Sequence, residues 1–272
     1  SEFYYDKIIS KFYNKIKFNN FSIKKNFLNA RPIFIIGLPR SGSTLIETIL
    51  TSSKNNLKTS GESNIFNMCI LENIKKNIMY KNFNLNENNL YIDYSKIYEN
   101  VNKKYKSLNI FENDIFIDKS LENFFNIDVI LKIFPQAQFI HTFRNYNDAI
   151  ISIFQSSLHE LSWSHKISSI TKYIDNYLKI IKFFKKKYKN KFIDINLKDL
   201  TNSQEIVFKN IFNFCSLKWN NKFLDLEVRQ NSFIKTLSGM EVRKKINKYD
   251  EKKYTPYYYL LKDYKNKYDW IN

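Results

Sequence analysis

The chain is short of the residues that bend or cross-link a backbone. Among 272 residues there are four glycines, four prolines and two cysteines. Collagen-like and low-complexity architectures need far more Gly and Pro. A cystine-stapled scaffold needs more than Cys69 and Cys215, which stand far apart with no Cys-x-x-Cys pair. Two such cysteines fit a reducing compartment, and a cytoplasmic setting is expected. Long apolar runs are also missing. None approaches the ~20 residues of a transmembrane helix, so no membrane span is expected, and the N-terminus carries no signal-peptide core. Arginine is scarce as well: of 44 basic residues only Arg31, Arg40, Arg144, Arg229 and Arg243 are Arg. Alanine occurs only at Ala30, Ala137 and Ala149, whereas Lys, Asn and Ile abound. This is the drift a low-GC genome imposes. Against it, a Gly, Pro or Arg that persists marks a position where a physical requirement holds it.

What is present is a chain 43% apolar and 17% aromatic, enough for one large core and too much for disorder. The net charge of +18 favours anionic partners. Its lysines are scattered, however, and the densest run, Lys185-Lys186-Lys187, ends a helix-like stretch and reads as a solvated face. Residues 1–30 alternate aromatic and basic side chains at helical spacing and read as an amphipathic lead-in. From there strand and helix patterns alternate. Strands are expected at 31–37, 114–118, 138–142 and 192–196, with helices at 45–50, 64–82, 93–107, 122–134, 147–158, 166–188 and 203–215. That order predicts an α/β fold, P-loop-like, with a central parallel sheet between helical layers. The main domain is expected over 31–255, with a Tyr-rich helix or tail at 256–272.

Two of the four glycines and two of the four prolines fall between Pro32 and Gly42. Gly37 and Gly42 have the spacing of a P-loop, G-x-x-x-x-G-K-[ST], with Ser43 where the lysine stands. A strand turning sharply into a helix aims successive N–H groups and the helix N-terminus at one point, which holds a phosphate. Arg40 supplies a different cation.

The stretch Pro32-Ile33-Phe34-Ile35-Ile36-Gly37-Leu38-Pro39-Arg40-Ser41-Gly42-Ser43-Thr44-Leu45 resembles the 5′-phosphosulfate loop of sulfotransferases. These enzymes take a sulfuryl group from 3′-phosphoadenosine 5′-phosphosulfate (PAPS) and release 3′,5′-adenosine bisphosphate (PAP). Three further segments follow in the family's order: Ser60-Gly61-Glu62, Asp118-Lys119-Ser120-Leu121-Glu122-Asn123-Phe124, and Phe134–Asp148 extended to Ser152. Thr236–Arg243 resembles the family's cofactor-covering segment. The likeness spans roughly residues 31–255 and is nearest to bacterial tetratricopeptide-linked and tyrosylprotein sulfotransferases. It implies that Arg40, Ser41, Gly42, Ser43 and Thr44 hold the 5′-phosphosulfate, that Arg144 and Ser152 hold the 3′-phosphate, and that Arg243 and Lys253 assist. Leu121 and Tyr146 stand where the family has Pro. Leu197 replaces a Tyr that would touch adenine, and Tyr254 replaces a Trp.

Sulfuryl transfer builds negative charge on the sulfuryl and bridging oxygens, so cations and N–H donors carry the catalysis. The chemistry requires no metal, and no metal-ligand cluster is apparent in the sequence. The resemblance assigns Arg40 and Lys119 to that charge, with Ser238 beside the transferring group and Glu62 as general base. His141, His159 and His165 are rival bases, since other sulfotransferases use His. The acceptor is a hydroxyl: tyrosine, sugar, phenol or small metabolite. Two other readings remain. A P-loop kinase or NTPase would place Asp118 on Mg²⁺, but has no lysine at position 43 and no use for Arg144 and Ser152. A basic nucleic-acid-binding protein would use the +18 charge, yet no recognised binding motif is present, and no nucleic acid partner is expected. Lys119→Ala and Glu62→Ala are expected to fold, bind the nucleotide and lose turnover.

Overall fold

A computed structural model describes residues 30–53, 57–80, 93–111, 113–225 and 246–271. The expected lead-in helix, the Asn-rich stretch at 82–89, and Ser238, Gly239 and Arg243 lie outside the described residues. The central sheet has five parallel strands: β1 (Arg31–Gly37), β2 (Lys58–Thr59), β3 (Ile115–Asp118), β4 (Gln138–Phe143) and β5 (Phe192–Asn196), in the order β2-β3-β1-β4-β5. β1 is the middle strand, which is why Pro32–Gly37 is an unbroken buried run. Its side chains alternate between two cores. Phe34 and Ile36 face one layer, while Ile33 and Ile35 face the other.

The second face is covered by α1 (Ser43–Ser52), the helix after the glycine-rich loop, and by α8 (Gln204–Phe214). The first is covered by α2 (Ile65–Tyr80), α3 (Tyr94–Ser107), α4 (Ile127–Ile133), α5 (Tyr146–Gln155) and α6 (Ile167–Lys187). α6 packs through Ile170, Tyr173, Ile174, Tyr177, Ile181 and Phe184, the three-and-four spacing of one helical stripe. On this face Phe34 stacks on Phe139 at 5.5 Å and meets Phe66 edge-on at 5.7 Å. Truncating such a ring to Ala costs about 3–5 kcal/mol.

Three features depart from the sequence-based expectation. β2 is only two residues long, too short to carry a strand pattern. A helix, α7 (Leu197–Asn202), follows β5 directly, capped by the Asn196 side chain on the Lys198 N–H. The helix expected over 122–134 is split at Asn126 into a 3-10 turn, Leu121–Phe125, and α4. Its first turn is drawn tight because Asn123 Nδ2 donates to buried Asp118 at 3.1 Å. Beyond the main alternation, Thr255–Leu261 forms a 3-10 helix leading into α9 (Lys262–Lys265). Tyr254, Leu261, Tyr268 and Ile271 are buried in the first-face core.

Two glycines illustrate how differently one residue type is used. Gly37 has φ +143, and a Cβ there would stand 2.2 Å from the Thr142 carbonyl oxygen. Gly61 has φ +58 with nothing within 4 Å of its missing Cβ. Gly37→Ala is therefore expected to lose about 3 kcal/mol or more of unfolding free energy in urea titration. Gly61→Ala should lose only about 1 kcal/mol, the backbone cost of a left-handed non-glycine residue.

Candidate active site

The carboxyl ends of β1, β3 and β4 meet at the glycine-rich loop, beside the central strand from which the chain first runs to one side and later to the other. Ligands of open parallel sheets gather at such places. The loop's path is unusual. Arg40 has φ +64 and Gly42 φ +92, so two left-handed residues bracket Ser41. A Cβ on Gly42 would press on Leu197 and Leu200 of α7 at 2.9 and 2.8 Å. The first intrahelical bonds of α1 run from the Leu45 and Ile46 N–H groups to Gly42 O, and no side chain caps the helix. The N–H groups of Ser43 and Thr44 therefore lead the helix at its positive end. Ser41 holds the loop in place: its buried hydroxyl lies 2.6 Å from Leu38 O and 2.7 Å from Thr142 Oγ1. Its side chain is spent inside the fold.

On the β3 side stands Lys119. It is fully buried, with Nζ 2.6 Å from Glu62 Oε1 and 3.3 Å from Glu47 Oε2. A scattered-lysine reading of this residue is thereby excluded. Glu62 is 52% exposed and opens the pair to solvent, whereas Glu47, on α1, is 2% exposed. Backbone bonds from Lys119 N to Gly61 O and from Ser60 N to Ile117 O lock residues 60–62 alongside β3. Glu62 precedes α2 and is committed to Lys119 in this arrangement, so it is more than a favourable charge at a helix start. Lys119→Ala would leave Glu47 as a buried, uncompensated anion, a change that typically costs 3–5 kcal/mol. The expectation that this variant folds as well as the unaltered chain is corrected accordingly.

On the β4 side stands Arg144, also buried. Its Nη1 donates to Arg40 O at 3.2 Å, tying it to the loop, and its Nη2 lies 3.3 Å from the Tyr249 hydroxyl and 3.7 Å from Asp148. The rings of Tyr249 and Tyr254 flank the guanidinium at 5.4 and 5.0 Å. Its Nε is buried and finds no hydrogen-bond partner among the described residues. The Tyr254 hydroxyl donates to buried Ser152 at 3.2 Å. Burial works to raise the Tyr254 phenol, but the Ser152 contact and the charges of Arg144 and Lys253 bring it below its ordinary value. Tyr249 is instead pushed up to about 12 by burial and by its bond to Asp148. Tyr258 donates to the same carboxylate at 2.6 Å. Lys253 is exposed beside the Tyr254 ring.

Three histidines are the rival bases. His159 and His165 are exposed, and His141 is a core residue. Burial lowers its imidazole, so Nδ1–H donates to Asp194 at 2.7 Å and Nε2 accepts from the Tyr177 hydroxyl. Asp194, which burial would raise, is carried down to about 2 by His141 and Lys185. Asp118 does not reach outward to a metal. It accepts from Tyr105 at 2.6 Å, from Ser120 N and from Asn123, and burial raises its carboxyl. The kinase reading therefore loses its metal ligand. No group of three or more His, Cys, Asp or Glu able to hold a metal occurs among the described residues. Nor is any helix among them long and apolar enough to cross a membrane. Within the densest lysine run, Lys185 pairs with Asp194 and Lys187 with Asp128.

Sequence reasoning missed Glu47, Thr142 and Tyr249. Glu47 had a signal, being the one charge in Ser43–Ser52, where Ser43–Leu50 are all buried. Tyr249 had none, because it reaches the site across more than 100 residues, whereas Tyr254 was marked by standing where the family has Trp.

An imidazole held neutral stabilises the fold only while the unfolded chain's histidine is also neutral. The unfolded group takes a proton near pH 6.5, and the folded one at lower pH, so this stability is complete above about 6.5 and declines below it. The Asp194 contribution persists until about pH 4 and is lost towards 2. Heat denaturation should therefore give a lower Tm at about pH 5 than at about pH 7.5, and His141→Gln should narrow that gap.

Residues 32–221 match the profile of the Sulfotransferase family. An uncharacterized protein of Aquifex aeolicus (strain VF5) is 27% identical over an alignment of 241 residues that covers 84% of this chain and 31% of that protein. The chain thus spans less than a third of that relative's length. Among solved structures, sulfotransferase STF9 from Mycobacterium avium superposes with a TM-score of 0.50 at 12% identity, covering 89% of this chain and 77% of that one. The sulfotransferase domain of the Synechococcus PCC 7002 olefin synthase gives 0.49 at 16% identity, covering 83% and 97%. Mouse sulfotransferase SULT7A1, complexed with PAP, gives 0.48 at 12% identity, covering 99% and 93%. At such identities the likeness concerns the fold.

Proposed function

The chain belongs to the sulfotransferase family, and from that premise we propose that it transfers a sulfuryl group from PAPS to a hydroxyl-bearing acceptor. The observation that carries this reading is Lys119, fully buried between half-exposed Glu62 and the helix of the phosphate loop. The Gly61-Glu62 segment supports placing the chain with the tetratricopeptide-linked and tyrosylprotein groups of the family.

The donor set suits a nucleotide with phosphates at both ends. Arg144 offers a buried Nε with no partner among the described residues and a guanidinium held in one orientation by the Arg40 carbonyl. Such a fork matches phosphate oxygens. Ser152 adds a hydroxyl one helix away, and Tyr254 lies against both. The leading N–H groups of α1, with Arg40, would receive the 5′ end. Ser238 remains assigned to the transferring group, and Arg243 and Lys253 to holding the nucleotide. When bound, PAPS supplies the sulfuryl group, whose bond to the 5′-phosphate oxygen breaks as the bond to the acceptor oxygen forms.

The chain's residues divide the remaining work. Glu62 takes the proton of the acceptor hydroxyl, which its half-exposed position allows. Lys119 donates an N–H to the oxygen on which the departing electron pair collects. Arg40 and the loop N–H groups offset charge on the sulfuryl oxygens. The burial of Lys119 and Arg144 strengthens each of these interactions, because water does not screen them.

Glu62→Gln should fold with an unchanged Tm and bind PAP in calorimetry, while kcat falls by about 100-fold or more. Arg144→Ala should instead raise the PAP dissociation constant far more than it lowers kcat. Transfer of ³⁵S from labelled PAPS to a panel of phenols, sugars and tyrosyl peptides reads both. Unchanged turnover in Glu62→Gln removes that residue as the base.

A further inference from the structure

Lys119 has two carboxylate partners, and the proposed reaction uses only one. The unused one, Glu47, is the more deeply buried. It is oriented from its other side. Thr59 Oγ1 donates to Glu47 Oε1 at 2.7 Å, and the Gly61 N–H donates to Thr59 Oγ1 at 3.0 Å. Glu47 is thus fixed by the same short segment that carries Glu62. Its second oxygen, Oε2, lies 3.3 Å from Lys119 Nζ and makes no hydrogen bond. A buried carboxylate oxygen with unused acceptor capacity normally destabilises a fold. Here it faces the one ammonium whose other partner must be released during the reaction.

We propose that Glu47 is a positioning residue for the transfer, holding the Lys119 ammonium at the phosphate loop when Glu62 gives it up. The proposal rests on the function argued above. Glu62 becomes neutral as it takes the acceptor's proton, and its 2.6 Å ion pair with Lys119 loses its charge. A buried ammonium without a counter-ion would be costly. Glu47 remains as that counter-ion. Its carboxylate, clamped by Thr59 on a rigid helix, keeps Nζ from following Glu62 towards solvent. Lys119 can then direct an N–H to the leaving oxygen without moving far. The two glutamates divide between them what one could not do: one must change charge and face solvent, the other must do neither.

The test is a double-mutant cycle on Glu47→Gln and Lys119→Met, reading kcat, KM for PAPS, PAP affinity by calorimetry, and Tm. Glu47→Gln is expected to lower kcat roughly 10- to 100-fold, leaving KM and the PAP dissociation constant within about threefold. Because Glu47 acts through Lys119, the double variant should be no slower than Lys119→Met alone. It should also be more heat-stable than Lys119→Met, in which Glu47 is stranded. Thr59→Val, which removes only the orienting bond, should lower kcat in the same direction and carries the test if Glu47→Gln does not fold. The proposal fails if Glu47→Gln keeps the unaltered kcat, if the two losses multiply in the double variant, or if PAP affinity falls in step with kcat. Those outcomes, with turnover in Lys119→Met strongly reduced, leave the sulfotransferase reading standing. An active Lys119→Met overturns both.

Discussion

Everything at the active site depends on how closely β1 passes β4 where the central strand ends. With the Thr142 carbonyl 2.2 Å from where a Cβ would sit, only glycine can occupy position 37. That approach brings Thr142 Oγ1 within reach of Ser41, and the Ser41 bond sets the turn that follows. The turn places the Arg40 carbonyl under Arg144 and starts α1 at Gly42. One helical turn later, α1 delivers Glu47 to Lys119. A single steric contact between two strands therefore positions a phosphate loop, a buried guanidinium and a buried ammonium together.

That chain of dependence explains what could be read from the sequence. Sterically obligatory positions survive compositional drift, so Gly37, Gly42, Arg40 and Arg144 stood out against a Lys- and Asn-rich background. Prolines of the family pattern are a different matter. Leu121 and Tyr146, standing where the family has Pro, begin the 3-10 turn and α5 respectively. Pro at a first helical position offers only a preset φ, and its missing N–H is not needed there. Other residues fit, especially at Tyr146, where the Asn145 side chain caps the helix through the Asn147 and Asp148 N–H groups. Tyr249 depends on a contact between elements, which no local pattern announces, and Glu47 left only a faint mark, a lone charge in a buried helix. β2 escaped for the same reason, since two residues joining β3 carry no period of their own.

The charge distribution has a comparable split. A net charge of +18 looks like the protein's dominant property, yet much of the paired surface charge is balanced locally, as with Lys58 and Asp114 or Lys179 and Asp175. Lys119 and Arg144, by contrast, are withdrawn from solvent. Salt screens exposed lysines within about 10 Å but reaches buried groups much less. Interactions made by Lys119 and Arg144 are accordingly screened far less than those of the exposed lysines.

The strand order has a consequence for how the molecule is made. β1 is the first strand of the sheet to be synthesised, and its second edge is covered only once β4, the fourth strand, has been made. Its neighbours β3 and β4 arrive only after α3 and α4 respectively have been made. Until then a flat, apolar, unpaired strand would stand open on both sides, the sort of segment that invites pairing with another chain. Pro32, which lacks an N–H, and Arg31, which carries a charge, sit at its entrance and discourage that pairing at one end. At the other end is the glycine-rich turn, which cannot extend the strand. The features that build a phosphate loop thus also border the segment most exposed to misassembly on a nascent chain.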